Sequence, residues 1–277
     1  MLKSKIDTNE YTGSLIEAFL DFKNSLNMFN VWSYLSLQDI KQRYRRSVIG
    51  PFWITISNAI IIFMLSLLYG TLFGLPLEIY APYLAVGMLV WNFISITLNE
   101  SINIFFENIN IIKQVNNPIN FYIFRLVGRN IIVFLHNFII IPPILYIFNI
   151  ELNLIDMLSA ILALFILTLN VSLLSLIVAI SCVRYRDVGP LISNLLQAIF
   201  FVSPIMWLPS VLEGRGVASW ILTLNPIFYQ IEMVRSPLIG NGPSVGSIII
   251  SCVITSILAL TATFLLAKTK SKIVYWV

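Results

Sequence analysis

The chain has 277 residues, of which 58% are hydrophobic and only 11% charged, with a mean hydropathy of +0.89. A soluble domain carries about a quarter of its residues charged, so this composition excludes a water-soluble fold and sets the chain in a lipid bilayer. The net charge of +4 is too small to mark a nucleic-acid surface; the placement of the charges is more informative than their sum.

In chain order, residues 1–51 read as a cytoplasmic lead-in. Residues 1–30 lack the charged start, apolar core and small-residue cleavage site of a signal peptide. Leu15, Phe19, Phe22 and Leu26 recur at near-helical spacing and predict a short surface helix over about 12–27. Residues 36–57 read SLQDIKQRYRRSVIGPFWITIS. On a helical wheel Leu37, Ile40, Tyr44 and Val48 share one face. Gln38, Asp39, Gln42, Arg43, Arg45 and Arg46 take the other, with Lys41 at the boundary. A basic amphipathic helix of this kind suits the plane of an anionic membrane surface. Gly50-Pro51 breaks it, and a long apolar run starts at Phe52 and Trp53.

Residues 52–277 predict an all-α integral membrane region of six transmembrane helices: 52–73, 83–104, 121–148, 157–183, 191–206 and 244–267. A hydrocarbon core takes roughly 20 residues of helix to cross. Six such spans with their short connections within 277 residues are expected to leave no room for a separate soluble domain. The stretch 105–118, FFENINIIKQVNNP, is too polar to span; Phe105, Ile109 and Ile112 would face lipid or protein and leave Glu107, Asn108 and Lys113 free. Pro142-Pro143 is placed to kink or end the third span. Between 207 and 243 lie two apolar pieces, 217–224 and 226–233, cut by Asn225-Pro226. Both are too short to span and read as re-entrant or interfacial helices. This layout puts every basic residue except Arg215 and Arg235, of 17 in all, on one side. The positive-inside rule then sets both termini in the cytoplasm. Cys182 and Cys252 fall towards opposite faces, so no disulfide is expected.

The chemistry the chain lacks narrows its function. It has no GxxxxGK[ST] phosphate loop, one histidine, and two cysteines far apart. His136 has no acidic neighbour within several residues, so a membrane-embedded glycosyl- or acyltransferase is the rival from a different class, without a visible site. Polar residues inside a span are expensive and therefore informative. Arg129, Asn130, His136 and Asn137 punctuate the third span, and Asn130 and Asn137, seven apart, share a face. They either line a wet channel or make interhelical hydrogen bonds within one subunit. Glu100, at the inner end of span two, is placed to pair with a basic residue. Tyr69, Phe73, Tyr80, Tyr83 and Trp91, with Trp207, Trp220, Phe228 and Tyr229, either stack on sugar rings or form an interfacial aromatic belt.

Five segments carry a resemblance: the RYRRSVIGPFW run after the amphipathic helix, RNIIVFLHN at 129–137, VRYRDVGP at 183–190, SPIMWLP at 203–209 and LNPIFYQIEMVR at 224–235. In this order, over nearly the whole chain, they resemble the type-2 ABC exporter permeases. Within that group they are most similar to the permeases of lipid-linked polysaccharides such as O-antigen or capsule. The resemblance implies a homodimer in the cytoplasmic (inner) membrane, paired with two copies of an ATP-binding cassette ATPase that binds ATP and Mg. This chain would bind no cofactor and make no bond, but form a channel for the lipid-linked polymer between its two copies; nucleic acid has no part. A smaller lipid or drug is the rival cargo. The family's coupling helix falls at 105–118, which makes Glu107, Asn108 and Lys113 the ATPase contacts. Asp39, Arg43, Arg45 and Arg46 form a second contact, or else an anchor on anionic membrane lipids. Tyr69, Phe73, Tyr83, Trp91, Asn130 and Asn137 become candidates for lining the channel. The segment 207–243 would form gate helices near its outer exit.

Overall fold

The computed structural model describes residues 3–50, 52–212 and 217–277; Pro51 and Arg215 lie outside them. The described residues form helices, turns and loops with no strand. A hairpin of α1 (Lys3–Asn27) and α2 (Phe29–Arg43) leads into α3 (Phe52–Phe73) and α4 (Leu77–Ser101). Two short helices, α5 (Ile104–Glu107) and α6 (Ile109–Gln114), turn the chain into α7 (Ile119–Phe138) and α8 (Ile141–Ile147). After α9 (Leu154–Arg184) and α10 (Val188–Val202) come a 3-10 turn at Pro209–Leu212, α11 (Val217–Leu224), α12 (Pro226–Leu238) and α13 (Val245–Trp276).

Five stretches among the described residues are long and apolar enough to cross a membrane: α3, α4, α7 with α8, α9 and α13. The helix α10 has 15 residues, which at 1.5 Å each give about 22 Å, short of a hydrocarbon core of about 30 Å. The expected fifth span, 191–206, therefore differs from what forms. Ser203 turns extended ahead of Pro204, as a residue before proline must, and the helix stops at Val202. The second span starts at Leu77, six residues before the expected Tyr83. It carries Pro82 inside its second turn, at the cost of one backbone hydrogen bond. The third breaks at residues 139 and 140, and Pro142-Pro143 fall in the first turn of α8, where a missing N–H is harmless.

The central helix is α4, packed against α3, α7, α9, α10 and α12. In its most apolar stretch 72% of residues are buried, against 17% in α3 and 11% in α13. Those two outer helices turn Ile60, Phe63, Met64 and Leu68, and Ile249, Val253, Ile257 and Leu260, outwards. Such faces need apolar surroundings, whether lipid or another apolar surface. Arg43, Lys113, Arg125, Arg129 and Lys270 collect at one end of the bundle, termed the basic end below.

The amphipathic helix departs most from its expected form. It ends at Arg43, so Tyr44 to Gly50 are a turn, with Arg46 in the left-handed region at φ 76°. Leu37, Ile40, Tyr44 and Val48 share no packed face: Ile40 is buried, but Leu37 and Val48 are exposed. The protein-facing side is instead Trp32, Ser36, Asp39 and Ile40, which lie on α7. Gly128 lets the two helices approach, since a Cβ there would sit 3.0 Å from Ser36 Oγ and 3.1 Å from the Trp32 ring. The Ser36 hydroxyl donates to Arg125 O at 2.8 Å. Asp39 turns inwards because Arg125 and Arg129 of α7 offer it partners there, while Lys41, Gln42 and Arg43 stay exposed.

Asp21 of α1 completes the docking of this hairpin. Its carboxylate accepts from Ile119 N at 2.9 Å and from Asn120 N and Nδ2 at 3.0 Å, so one helix caps the start of another. Lys270 of α13 lies 3.3 Å from the same carboxylate, tying three helices together.

Candidate functional site

At the basic end three arginines share two carboxylates. Arg125 Nε and Nη2 donate to Asp39 at 2.8 and 2.6 Å, a bidentate pair between α7 and α2. Arg129 Nη2 donates to Glu100 at 2.8 Å, and its Nη1 lies 3.7 Å from Asp39. Arg43 donates to the other oxygen of Glu100 at 2.8 Å. Burial works against the charge of Arg43, but the hydrogen bond and charge of Glu100 prevail and hold its pKa above the ordinary value. Asn130 donates to Glu100 at 2.9 Å and to Thr97 Oγ1 at 3.2 Å. The cluster thus joins α2, α4 and α7, and Glu100 has the basic partners its position predicted.

Asn108 connects this cluster to the polar segment 105–118. Its Oδ1 accepts from Arg125 Nη1 at 3.4 Å and its Nδ2 donates to Ile104 O at 2.8 Å, so it is not free as expected. Asp39 likewise is turned inwards rather than outwards. Glu107 and Lys113 are exposed; Lys113 Nζ lies 3.4 Å from Val277 O. Phe105 and Ile112 are buried and hold α5 and α6 to the bundle. Between α5 and the α9–α10 turn opens a cleft of about 640 Å³, lined by Asn103, Phe106, Glu107 and Arg186 among others. Arg45 and Arg46 are exposed in the turn after α2.

A second feature lies between α4 and α10. A groove of about 400 Å³ runs along Met88, Trp91, Asn92, Ser95 and Asn99 of one helix and Ser193, Leu196, Gln197, Phe200 and Phe201 of the other. Ser193 Oγ donates to Asn99 Oδ1 at 2.8 Å, bridging the two helices at the end nearer the basic cluster. Asn92 Nδ2 reaches Asn58 Oδ1 of α3 at 3.4 Å. Five of the ten lining residues carry an amide or hydroxyl, which lipid cannot satisfy, set among apolar and aromatic side chains. These residues were missed in the sequence, although Asn92, Ser95 and Asn99 stand three and four apart and so share a face, as do Ser193 and Gln197.

The expected channel residues divide between places. Trp91 borders the groove with its ring 5.7 Å from Phe200; it lies at mid-helix, not near the outer turn. Asn130 and Asn137 do share a buried face, but that face looks onto a cavity of about 20 Å³ beside Asn92, room for one water. Asn137 Oδ1 accepts from Thr55 Oγ1 at 3.1 Å, an interhelical bond within one chain. Tyr69 and Phe73 stack on each other at 5.8 Å, at the end of α3 away from the basic cluster. Tyr83 is buried, its hydroxyl 2.8 Å from Pro204 O and 3.1 Å from Trp207 O. His136 Nδ1 lies 2.7 Å from Ile132 O and its ring meets Phe52 edge-on.

Arg235, assigned above to an outer loop, is wholly enclosed in α12. Its Nη2 donates to Pro204 O at 2.9 Å and its guanidinium carbon lies 3.7 Å from the Tyr83 ring centre.

Five apolar helices of spanning length, with a charged junction at one end, define a multi-pass membrane protein. The chain belongs to the ABC-2 type transporter family, which its residues 30–239 match. That family is one of transporter permeases, not enzymes. The chain is similar to the O-antigen export system permease protein RfbA of Myxococcus xanthus, 23% identical over 194 residues that cover 69% of this chain and 73% of that one. Two proteins of the same name from Klebsiella pneumoniae are each 24% identical, over 229 and 226 residues, covering 78% of this chain and 82% of theirs.

Proposed function

We propose that this chain is the membrane-spanning subunit of an ATP-driven exporter that moves a lipid-linked polysaccharide across the cytoplasmic membrane. The observation that carries this reading is the polar groove between α4 and α10 in a family of transporter permeases. Its amides and hydroxyls suit sugar hydroxyls, and Trp91, Phe200 and Phe201 offer flat faces to the C–H side of a ring. The named relatives export O-antigen, which favours the same cargo.

Two copies would face each other through α3 and α10, whose apolar faces are unpartnered within one chain, and their grooves would form one conduit. In this arrangement α10, extended by the loop that follows it, adds the fifth of six crossings in chain order, and α11 and α12 are the gate helices on the outer side. Both termini and the basic end lie in the cytoplasm. Two ATP-binding subunits dock there on α5, α6 and the adjoining cleft, with Glu107 and Lys113 as contacts. Asp39 and Arg43 act behind that surface by carrying its movement into α4 and α7, while Arg45 and Arg46 meet the partner or anionic headgroups.

The test is to fill the groove. Ser95→Trp, expressed with the ATP-binding subunit, should reach the membrane in normal amount yet remove polymer from the cell surface. Undiminished surface polymer with the groove filled would sink the conduit.

A further inference from the structure

At the end of the groove away from the basic cluster, where Phe200 and Phe201 line it, α10 ends at Val202 and the loop of residues 203–207 follows. Its carbonyls lie beyond the last turn of α10 and outside any helix, and side chains supply the donors. Tyr80 of α4 donates to Met206 O, and Tyr83 to Pro204 O at 2.8 Å. Two side chains reach the loop from the α12 segment. Asn225, which caps α12, donates to Ser203 Oγ at 2.8 Å, and Arg235 donates to Pro204 O at 2.9 Å.

The setting of Arg235 is unusual for a charge. Its one carboxylate, Glu232, stands 3.5 Å away and is a quarter exposed. Its main partners are a carbonyl and the face of Tyr83, and its Nε has none. Space for the guanidinium exists because residue 87 is glycine: a Cβ there would fall inside contact distance of Nη2. Gly87 is next to Met88, where the groove begins. A buried guanidinium held by neutral dipoles is fixed by geometry more than by charge pairing, and Glu232 at the rim offers it a second seat.

We infer that Arg235 is a positioning residue that pins α12 to the loop after α10 and thereby keeps the outer end of the groove shut. This deepens the conduit reading and rests on it. Withdrawal of the guanidinium from Pro204 O frees α12 and the loop to separate.

The test uses whole cells carrying the full chain and its ATP-binding subunit, with Cys182→Ala and Cys252→Ala and a reporter Ser95→Cys in the groove. A membrane-impermeant maleimide is added from outside. With Arg235 and Gly87 intact, labelling is slow. Gly87→Ala, which leaves Arg235 in place and displaces only its tip, should speed labelling at least ten-fold, and Arg235→Met at least as much, with Arg235→Lys between. A control reporter Ser172→Cys on α9 should not change. Equal labelling in parent and Gly87→Ala, or a matching rise at the control position, overturns the proposal; should Arg235→Met fail to reach the membrane, Gly87→Ala decides alone. Loss of export in Ser95→Trp with no rise in labelling refutes the pin and leaves the conduit. A rise in labelling with export untouched by Ser95→Trp refutes the conduit and leaves the pin.

Discussion

The two ends of the bundle hold their charges in opposite ways. At the basic end three guanidinia divide two carboxylates over three helices, and every member retains some exposure. At the other end a single guanidinium is sealed in, held mainly by one carbonyl and a tyrosine ring, with one carboxylate at 3.5 Å. The first arrangement is a network in which each carboxylate serves several donors. Its failure is electrostatic and spreads to its neighbours. The second is a local fit between Arg235, Gly87 and Pro204, and its failure is steric.

The largest effect expected at the basic end comes from Glu100. Its two oxygens accept from Arg43, Arg129 and Asn130. Glu100→Gln keeps the size but leaves three arginines sharing Asp39. Removing one partner of a mostly buried ion pair costs about 3–5 kcal/mol. We expect a marked fall in the thermal midpoint of the purified protein in detergent, followed by tryptophan fluorescence. A midpoint within about 2 °C of the parent would mean that the network is dispensable.

Next is Asp39, whose removal strands Arg125 but leaves Glu100 to hold Arg43 and Arg129. Asp39→Asn is expected to cost about 2 kcal/mol, the worth of a hydrogen bond to a charged group. The sharper measurement is a double-mutant cycle with Arg125→Gln. Directly paired side chains should couple by about 0.5–3 kcal/mol. Additive effects would show that the bidentate contact is not an energetic unit.

These charges also mark what the sequence revealed and what it concealed. That Asn130 and Asn137 share a face follows from helical period alone; that the face meets Glu100, Thr97 and Thr55 requires knowing which helices abut it. Asp39 was set with Arg43, Arg45 and Arg46 on the polar face, and helical period alone does not show that Arg125 and Arg129 of α7 draw it inwards. Arg235 gives no local sign of its burial, which depends on Gly87 and Pro204, remote in sequence and adjacent in space. The early end of α10, by contrast, was visible in Pro204, and an apolar count overran it. Helix existence and order were legible for the same reason throughout: apolar runs of spanning length have few other folds open to them.

A smaller effect is expected where polar groups meet inside the span without charge. Thr55→Val leaves Asn137 Oδ1 without its 3.1 Å donor. Interhelical hydrogen bonds of this kind are worth about 0.6 kcal/mol on average in membrane proteins, with a ceiling near 1.7. The midpoint should therefore drop only slightly. A loss comparable to that of Glu100→Gln would contradict the ranking, and would mean that the α3–α7 contact rather than the ion cluster holds the basic half together.

The smallest stability effect belongs to the residues with most to do at the partner's surface. Glu107 is exposed, and Lys113 is exposed with only a 3.4 Å contact to Val277 O. Exposed substitutions of this sort stay within about 0.5 kcal/mol. Yet α5 and α6 are seated through Phe105 and Ile112, and Asn108 bonds Arg125, so a push on this segment bears directly on the ion cluster and on α7. Replacing Glu107 and Lys113 together by alanine should leave insertion and thermal midpoint as they were. Export per ATP hydrolysed should fall when the ATP-binding subunit is present. Unchanged export with an unchanged midpoint would remove these two residues from the docking surface. A lowered midpoint would place them with the network instead, as members of the same charged junction rather than as its handle.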